Sequence, residues 1–91
     1  MLNCTATDLI NYLDNDGILY AFDSKNDVYF WKIGDDYFMG YTTPENRQSV
    51  AKAKNVNRVS EVFDMLLGFG VEFQVVVNRT STELSKYFGV L

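Results

Sequence analysis

The residues of this sequence that could carry chemistry are its carboxylates, because the usual partners of a catalytic nucleophile are missing. The chain has no histidine and one cysteine, Cys4. Without histidine it cannot build a Ser-His-Asp arrangement, a Cys-His arrangement or an imidazole zinc site. One cysteine cannot complete a thiolate metal site or an intrachain disulfide. We therefore expect no catalytic residue, no cofactor and no metal, and we predict that the protein is not an enzyme.

One pair of acids, Asp14 and Asp16, has a spacing that resembles the middle of an EF-hand calcium loop. In that register the first ligand position falls on Tyr12, which cannot coordinate as the loop requires. The twelfth position falls on Asp23, where a bidentate glutamate is usual. We interpret the segment as the end of a helix followed by a turn.

The elements that would position these acids follow from the spacing of the apolar residues. Helical spacing predicts helices over residues 5–16 and 57–67, and a capping-box pattern at residues 80–83 predicts a short third helix. Strand-forming runs separated by turn formers predict three strands within residues 18–42 and a fourth at residues 71–77. Short connections between strands favour antiparallel neighbours.

These elements predict a single α+β domain over residues 1–91. We expect a four-stranded, mostly antiparallel sheet, made of a three-stranded meander plus one strand, with helices packed mainly on one face. Residues 44–54 fit more than one structure. Thr43 and Pro44 make a good helix start, but the segment is weakly apolar, so an exposed strand or a loop competes with a helix.

The stretch "VYFWKIGDDYFMGY", residues 28–41, holds six aromatic residues. Strand alternation places Tyr29, Trp31 and Ile33 on one face, which we take as the core face. Aromatic residues on the other face then lie on an open face or edge. Alternatively, the third helix covers that face, or a homodimer or a partner protein buries it. Exposed aromatic residues beside acids are typical of binding surfaces. The predicted protein-binding residues are Tyr29, Phe30, Asp35, Asp36, Tyr37 and Tyr41.

The segment "RQSVAKAKNVNR", residues 47–58, has four basic residues and no acid. Val50 and Ala51, with Asn55 and Val56 after them, partly resemble a helix-turn-helix unit. The resemblance ends at Lys54, which stands where the motif requires an apolar residue. A basic patch can bind phosphates without that motif. The predicted nucleic-acid contacts of this alternative are Arg47, Lys52, Lys54 and Arg58.

Charge and length indicate the compartment and the kind of partner. Residues 1–45 carry eight acids against two bases, residues 46–91 carry six bases against four acids, and the isoelectric point is about 4.5. This acidity argues against non-specific affinity for nucleic acid. The chain start has no signal-peptide pattern, and no apolar run is long enough to span a membrane. We expect a cytoplasmic protein with no membrane contact.

Taken together, these features predict a small non-enzymatic protein-binding module that regulates or inhibits a partner protein through the acidic, aromatic meander. The alternative is a nucleic-acid-binding regulator that contacts phosphates through residues 47–58. In its general character the chain is similar to small accessory proteins of phages and mobile elements, because it is short, free of histidine and rich in aromatic residues, Asn and Asp.

Overall fold

In the computed structural model, which describes residues 4–90, the elements follow one another as α-β-β-β-β-α-β-α. Helix α1 (Ala6–Asp14) is capped by Thr5, whose Oγ1 accepts from the N–H of Asp8, while the Asp8 carboxylate accepts from the N–H of Thr5. This is the capping box that satisfies the free N–H groups of a helix start. The elements are α1 (Ala6–Asp14), β1 (Ile18–Asp23), β2 (Asn26–Ile33), β3 (Asp36–Thr42), β4 (Gln48–Ala53), α2 (Val56–Gly68), β5 (Phe73–Val76) and α3 (Ser81–Tyr87).

The strands form one antiparallel sheet in the order β4-β3-β2-β1-β5. Strands β1 to β4 are a meander, since each pairs with the next one along the chain. Strand β5 returns after α2 and pairs with the free side of β1. The predicted α+β class is confirmed, and the sheet has one strand more than the sequence indicated.

The additional strand is β4, which lies in the segment that fitted more than one structure. The turn before it is closed by two hydrogen bonds, from the N–H of Thr43 to the carbonyl of Arg47 and from the N–H of Asn46 to the carbonyl of Thr43, both 2.9 Å. Asn46 has a φ of 63°, a left-handed conformation that asparagine tolerates. Thr43 and Pro44 therefore open a turn, and the helix alternative is wrong.

Helices α1 and α2 cover one face of the sheet and form the larger core. Phe30 of β2, Phe63 of α2 and Phe73 of β5 have ring centroids 4.9 to 5.7 Å apart. Each of the three is at most 3% exposed. Leu9 and Leu13 of α1, each 1% exposed, complete the contact with the sheet. Burial of aromatic area on this scale supplies much of the stability of a small domain.

Helix α3 covers the middle of the other face. Trp31 of β2 is fully buried and stacks with Phe38 and Phe88, with centroids 5.4 Å away in each case. Its Nε1 donates to the Oγ of Ser85, also fully buried, at 2.7 Å. Gly40 lies under the Phe88 ring, and a Cβ at this position would come within 2.8 Å of that ring. This close approach of α3 to the sheet therefore requires glycine.

Coverage of both faces resolves the ambiguity of the aromatic stretch, residues 28–41. Alternate side chains enter opposite cores, Phe30 on the α1–α2 side and Trp31 on the α3 side. The expectation that Trp31 lies inside is confirmed, and Tyr29 and Ile33 pack half-buried against the same core. The expectation that Phe30 lies on an open face is wrong, because α2 and β5 bury it to 3% exposure.

Candidate protein-binding surface

Strand β5 forms one outer edge of the sheet and is held by a single deeply buried side chain. Phe73 is 1% exposed and packs on Phe30 and Phe63, opposite Ala21 of β1. The other residues of β5 are half-buried or exposed. The strand is therefore fixed in place from its inner side, while its outer side has no neighbouring strand among residues 4–90.

Large apolar side chains are exposed around this strand. Phe69, at the end of α2, is 75% exposed, and Val77, just after β5, is 88% exposed. Phe22 of β1 is 62% exposed and Val75 is 43% exposed. Phe22 and Phe69 lie beside one groove, and Val75 and Val77 lie beside another, so exposed apolar groups flank the strand on both sides. Exposed apolar groups near one strand mark contact sites more often than isolated ones do. We call these four side chains, together with the outer side of β5, the β5 edge surface.

Two shallow grooves run along the sheet face beside β5 and α3. One is lined by Phe22 and Phe69, and the other by Val77 and Arg79. Tyr20 and Gln74 line both grooves, so the two adjoin each other, and we call them together the channel beside β5. The channel exists because the short helix α3 covers the middle of this face and leaves the β1–β5 side open.

Polar groups in this channel are held by aromatic neighbours. The guanidinium of Arg79 lies 5.5 Å from the ring centroid of Tyr29 and 5.6 Å from that of Tyr87, within cation–π range. The hydroxyl of Tyr20 donates to Oδ1 of Asp27 at 2.5 Å. This hydrogen bond, with partial burial, raises the pKa of Tyr20 to about 12.

The edge itself carries no charge. No charged residue lies between Glu72 and Arg79, a stretch that includes all of β5. Natural proteins usually protect an exposed strand edge with lysines, other charges or proline, because its free N–H and C=O groups can pair with another strand. The β5 edge has neither charge nor proline, and its neighbouring side chains are apolar, so its only protection of this kind is its length of four residues.

The structure disperses the protein-binding residues that the sequence predicted. Phe30 and Tyr37 are core residues, 3% and 8% exposed, so their side chains are not at the surface. Tyr41 is half-buried against the α1–α2 core. Tyr29, also half-buried, lines the channel beside β5. Asp35 is exposed in the β2–β3 turn, and the next residue, Asp36, is half-buried. Only Tyr29 of the six belongs to the neighbourhood of β5.

Tyr37 instead takes part in a network that fastens α1 to the sheet. Oδ1 of Asp14 accepts from the Tyr37 hydroxyl at 2.5 Å and from Nζ of Lys32 at 2.9 Å. These two hydrogen bonds lower the pKa of Asp14. Burial, followed by the bond to Asp14, raises the pKa of Tyr37, and the bond to Asp14 raises the pKa of Lys32. The helix-end interpretation of Asp14 is confirmed, because α1 ends at this residue.

The basic residues lie around the opposite edge of the sheet. Residues 48–53 form a strand, so the partial helix-turn-helix resemblance has no structural counterpart. Lys54 lies 3.9 Å from Asp36, and Arg58, in the first turn of α2, lies 3.4 Å from Glu61. Arg47 and Lys52 are exposed and form no ion pair within residues 4–90.

Two further findings concern the described residues as a whole. Within residues 4–90 no group of three or more Cys, Asp and Glu side chains is arranged to hold a metal ion. None of the three helices described is long and apolar enough to cross a membrane.

The chain was compared with protein-family models, with curated proteins and with solved structures, and none of them matches it.

The β5 edge surface was missed at the level of sequence, although part of its signal was visible. Alternation in "VEFQVVV" places Val71, Phe73, Val75 and Val77 on one face, which suggests a uniformly buried row. Only Phe73 of this row is buried. Phe73 is buried and Val75 and Val77 are exposed because β5 is an edge strand, and the helices cover it only as far as Phe73.

Proposed function

We propose that this protein is a protein-binding module that contacts its partner through the β5 edge surface. The observation that carries the proposal is an uncharged edge strand surrounded by Phe22, Phe69 and Val77, each more than 60% exposed. An edge of this kind can accept an extended segment as a further strand, with main-chain hydrogen bonds for affinity and apolar contacts for specificity. A module of this kind acts by occupying its partner, which is the regulatory or inhibitory role that the sequence predicts.

The experiment compares captured partners across matched variants. Val75 of β5 and Val50 of β4 are both valines on edge strands, 43% and 39% exposed. Tagged wild-type protein, Val75→Lys and Val50→Lys are used to capture proteins from native lysate after nuclease treatment. We expect Val75→Lys to lose a discrete partner that wild type and Val50→Lys retain. Equal capture by all three would contradict the use of this edge.

One further variant separates this surface from the acidic meander. Asp35 lies in the β2–β3 turn and is exposed, so Asp35→Lys reverses a charge without disturbing the core. Binding that survives Asp35→Lys and fails with Val75→Lys supports the β5 edge surface. The reverse pattern would return the contact to the meander, as the sequence predicted.

A second function, phosphate binding at the opposite edge, is favoured by the exposure of Arg47 and Lys52 without ion-pair partners among residues 4–90. It requires an affinity for a labelled DNA or RNA strand that falls steeply as salt rises, because bound counterions are released. A double variant, Arg47→Ala with Lys52→Ala, would reduce that salt dependence. Binding that is absent at low salt would exclude this function.

A further inference from the structure

We propose that the β5 edge surface is occupied by a second copy of this chain, which pairs its own β5 antiparallel to the first with Val75 opposite Val75. The inference rests on the proposed function, since it names the partner of that same surface. It gives a two-fold symmetric dimer in which two five-stranded sheets become one continuous sheet. A two-fold interface must be self-complementary, and the β5 segment meets that requirement in its charges, its apolar side chains and its register.

Charge selects the antiparallel direction. The uncharged stretch begins after Glu72 and ends before Arg79. In an antiparallel pair the end that carries Glu72 lies near the end of the second copy that carries Arg79, so no two like charges stand directly opposite each other. In a parallel pair Glu72 would meet Glu72 and Arg79 would meet Arg79. Like charges across a strand pair are destabilising, whereas opposite charges are favourable.

Side-chain chemistry selects the register. With Val75 opposite Val75, Phe73 faces Val77 and Gln74 faces Val76, and both copies contribute the same contacts. Glu72 then faces Asn78, whose amide can donate to the carboxylate. Strand β5 itself covers Phe73–Val76, so the pairing requires Glu72, Val77 and Asn78 to extend the strand on either side. Opposite residues of an antiparallel pair point to the same side of the sheet.

The neighbouring registers are worse. Centring the pair on Gln74 places Glu72 opposite Val76, which buries part of a carboxylate against an apolar side chain. Centring it on Val76 places Phe73 opposite Arg79. Moving the centre of the pair by one residue still places opposite side chains on the same face of the sheet, but it replaces the pairs Phe73–Val77 and Gln74–Val76 with less favourable ones. The register centred on Val75 is therefore favoured.

The exposed side chains gain most from this arrangement. Val75, 43% exposed, contacts its own counterpart. Val77, 88% exposed in the single chain, comes to lie against the backbone of Phe73 in the second copy, because the Phe73 ring is itself only 1% exposed. The paired segment is short, so the buried area is smaller than the roughly 1,200 Å² of a standard stable interface. We therefore expect a weak dimer that forms at high protein concentration.

Sedimentation velocity over a range from about 1 µM to about 1 mM, which brackets weak association, tests the pairing. Wild type and Val50→Lys should pass from monomer to dimer within this range. Val75→Lys places two like charges opposite each other at the centre of the pair, and we expect it to weaken association at least tenfold. Circular dichroism checks that each variant is folded.

Oxidative cross-linking tests the register. In a Cys4→Ser background, Val75→Cys places two thiols directly opposite each other, within the reach of a disulfide. Val50→Cys, on the other edge, serves as the matched control. We expect a cross-linked dimer from Val75→Cys and none from Val50→Cys. A dimer that persists in solution while Val75→Cys fails to cross-link would overturn the register.

The outcomes distinguish this inference from the proposed function. Wild type that stays monomeric up to about 1 mM overturns self-pairing, and the capture experiment with Val75→Lys and Val50→Lys still decides whether another protein uses the edge. Dimerisation that is equally strong in Val75→Lys also overturns it, because the contact would then lie elsewhere. Loss of both association and partner capture in Val75→Lys means that the two share one surface.

Discussion

The two outer strands of the sheet differ in length, anchorage and charge. Strand β4 has six residues, five of them exposed, and Lys52 lies within it. Strand β5 has four residues, is fixed by the buried Phe73, and carries no charge. Lysines on an edge strand discourage pairing with other chains, and an uncharged apolar edge invites it. Lys52 is therefore of the kind that protects an edge strand, and β5 is the edge that we propose for contact.

The different anchorage of the two edges leads to the largest expected effect. Phe73→Ala removes a ring that packs on Phe30 and Phe63, so the free energy of unfolding should fall by about 3–5 kcal/mol. The comparable change in the exposed β4, Ala51→Gly, should cost about 0.5–1 kcal/mol. Urea denaturation at low protein concentration measures both values. Equal losses would show that the two edges are anchored alike.

Each edge also has a tyrosine–aspartate pair in the strand next to it, and the pairs should differ in their effect on stability. Tyr37 of β3, beside β4, is buried and bonded to Asp14, whereas Tyr20 of β1, beside β5, is bonded to the exposed Asp27. Asp14→Asn should cost about 1 kcal/mol, reduced from the usual value for a charged hydrogen bond because Asp14 is partly exposed. Asp27→Asn should cost less.

Acid distinguishes the two pairs further. The pKa of Asp14 is lower in the folded chain than in the unfolded chain, where it is about 3.9. The stability that follows from this difference is fully present above about pH 3.9, and it is lost as the pH falls through the lower pKa of the folded chain. The stability difference between wild type and Asp14→Asn, measured in urea, should therefore shrink between about pH 6 and about pH 2. A difference that is constant over this range would contradict the assignment.

Alkali should act mainly on the pair beside β5. The pKa of Tyr20 is raised to about 12, chiefly by its hydrogen bond to Asp27. The stability that follows from this raised pKa is fully present below the pKa of tyrosine in the unfolded chain, about 10. It is lost as the pH rises through about 12. The pKa of Tyr37 is raised as well. Phenolate absorbance should therefore show a late-ionising tyrosine besides Tyr37, one that is absent in Tyr20→Phe and ionises earlier in Asp27→Asn. In Asp14→Asn the Tyr20 titration should be unchanged.

The smallest effect on stability is expected from the charge on β4, although it should change association. Lys52→Val alters an exposed side chain, so the free energy of unfolding should change by about 0.5 kcal/mol or less. The variant would then carry two unprotected edges, and a chain with two such edges can add copies at both ends. Light scattering should detect larger species at high concentration. Scattering identical to wild type would show that Lys52 does not protect the edge.

Much of the fold could be predicted from local signals. Periodic apolar residues and capping residues indicated the three helices, and turn formers separated the first three strands. Strand β4 could not be assigned in this way, because "QSVAKA" has no alternating apolar pattern and its exposed side chains contribute little. Its structure depends on pairing with β3, which is a tertiary contact.

The candidate site was less predictable than the fold. A sequence shows that Phe30 and Trp31 point to opposite sides of a strand, but it does not show that both sides are covered. Their burial depends on α1 and α2 packing on one face and α3 on the other. The exposure of Val75 and Val77 depends in the same way on β5 being an edge strand.

By itself the sequence determined the α+β class, the helices and the absence of histidine chemistry, because these follow from residue types and their local spacing. Only the tertiary structure decided which aromatic residues are core and which edge of the sheet is free. The reason is physical: burial and strand order depend on contacts between residues far apart in the chain, such as Phe73 with Phe30 and Trp31 with Ser85. No local pattern encodes those contacts. The proposed binding surface lies at the edge of the sheet that they leave uncovered.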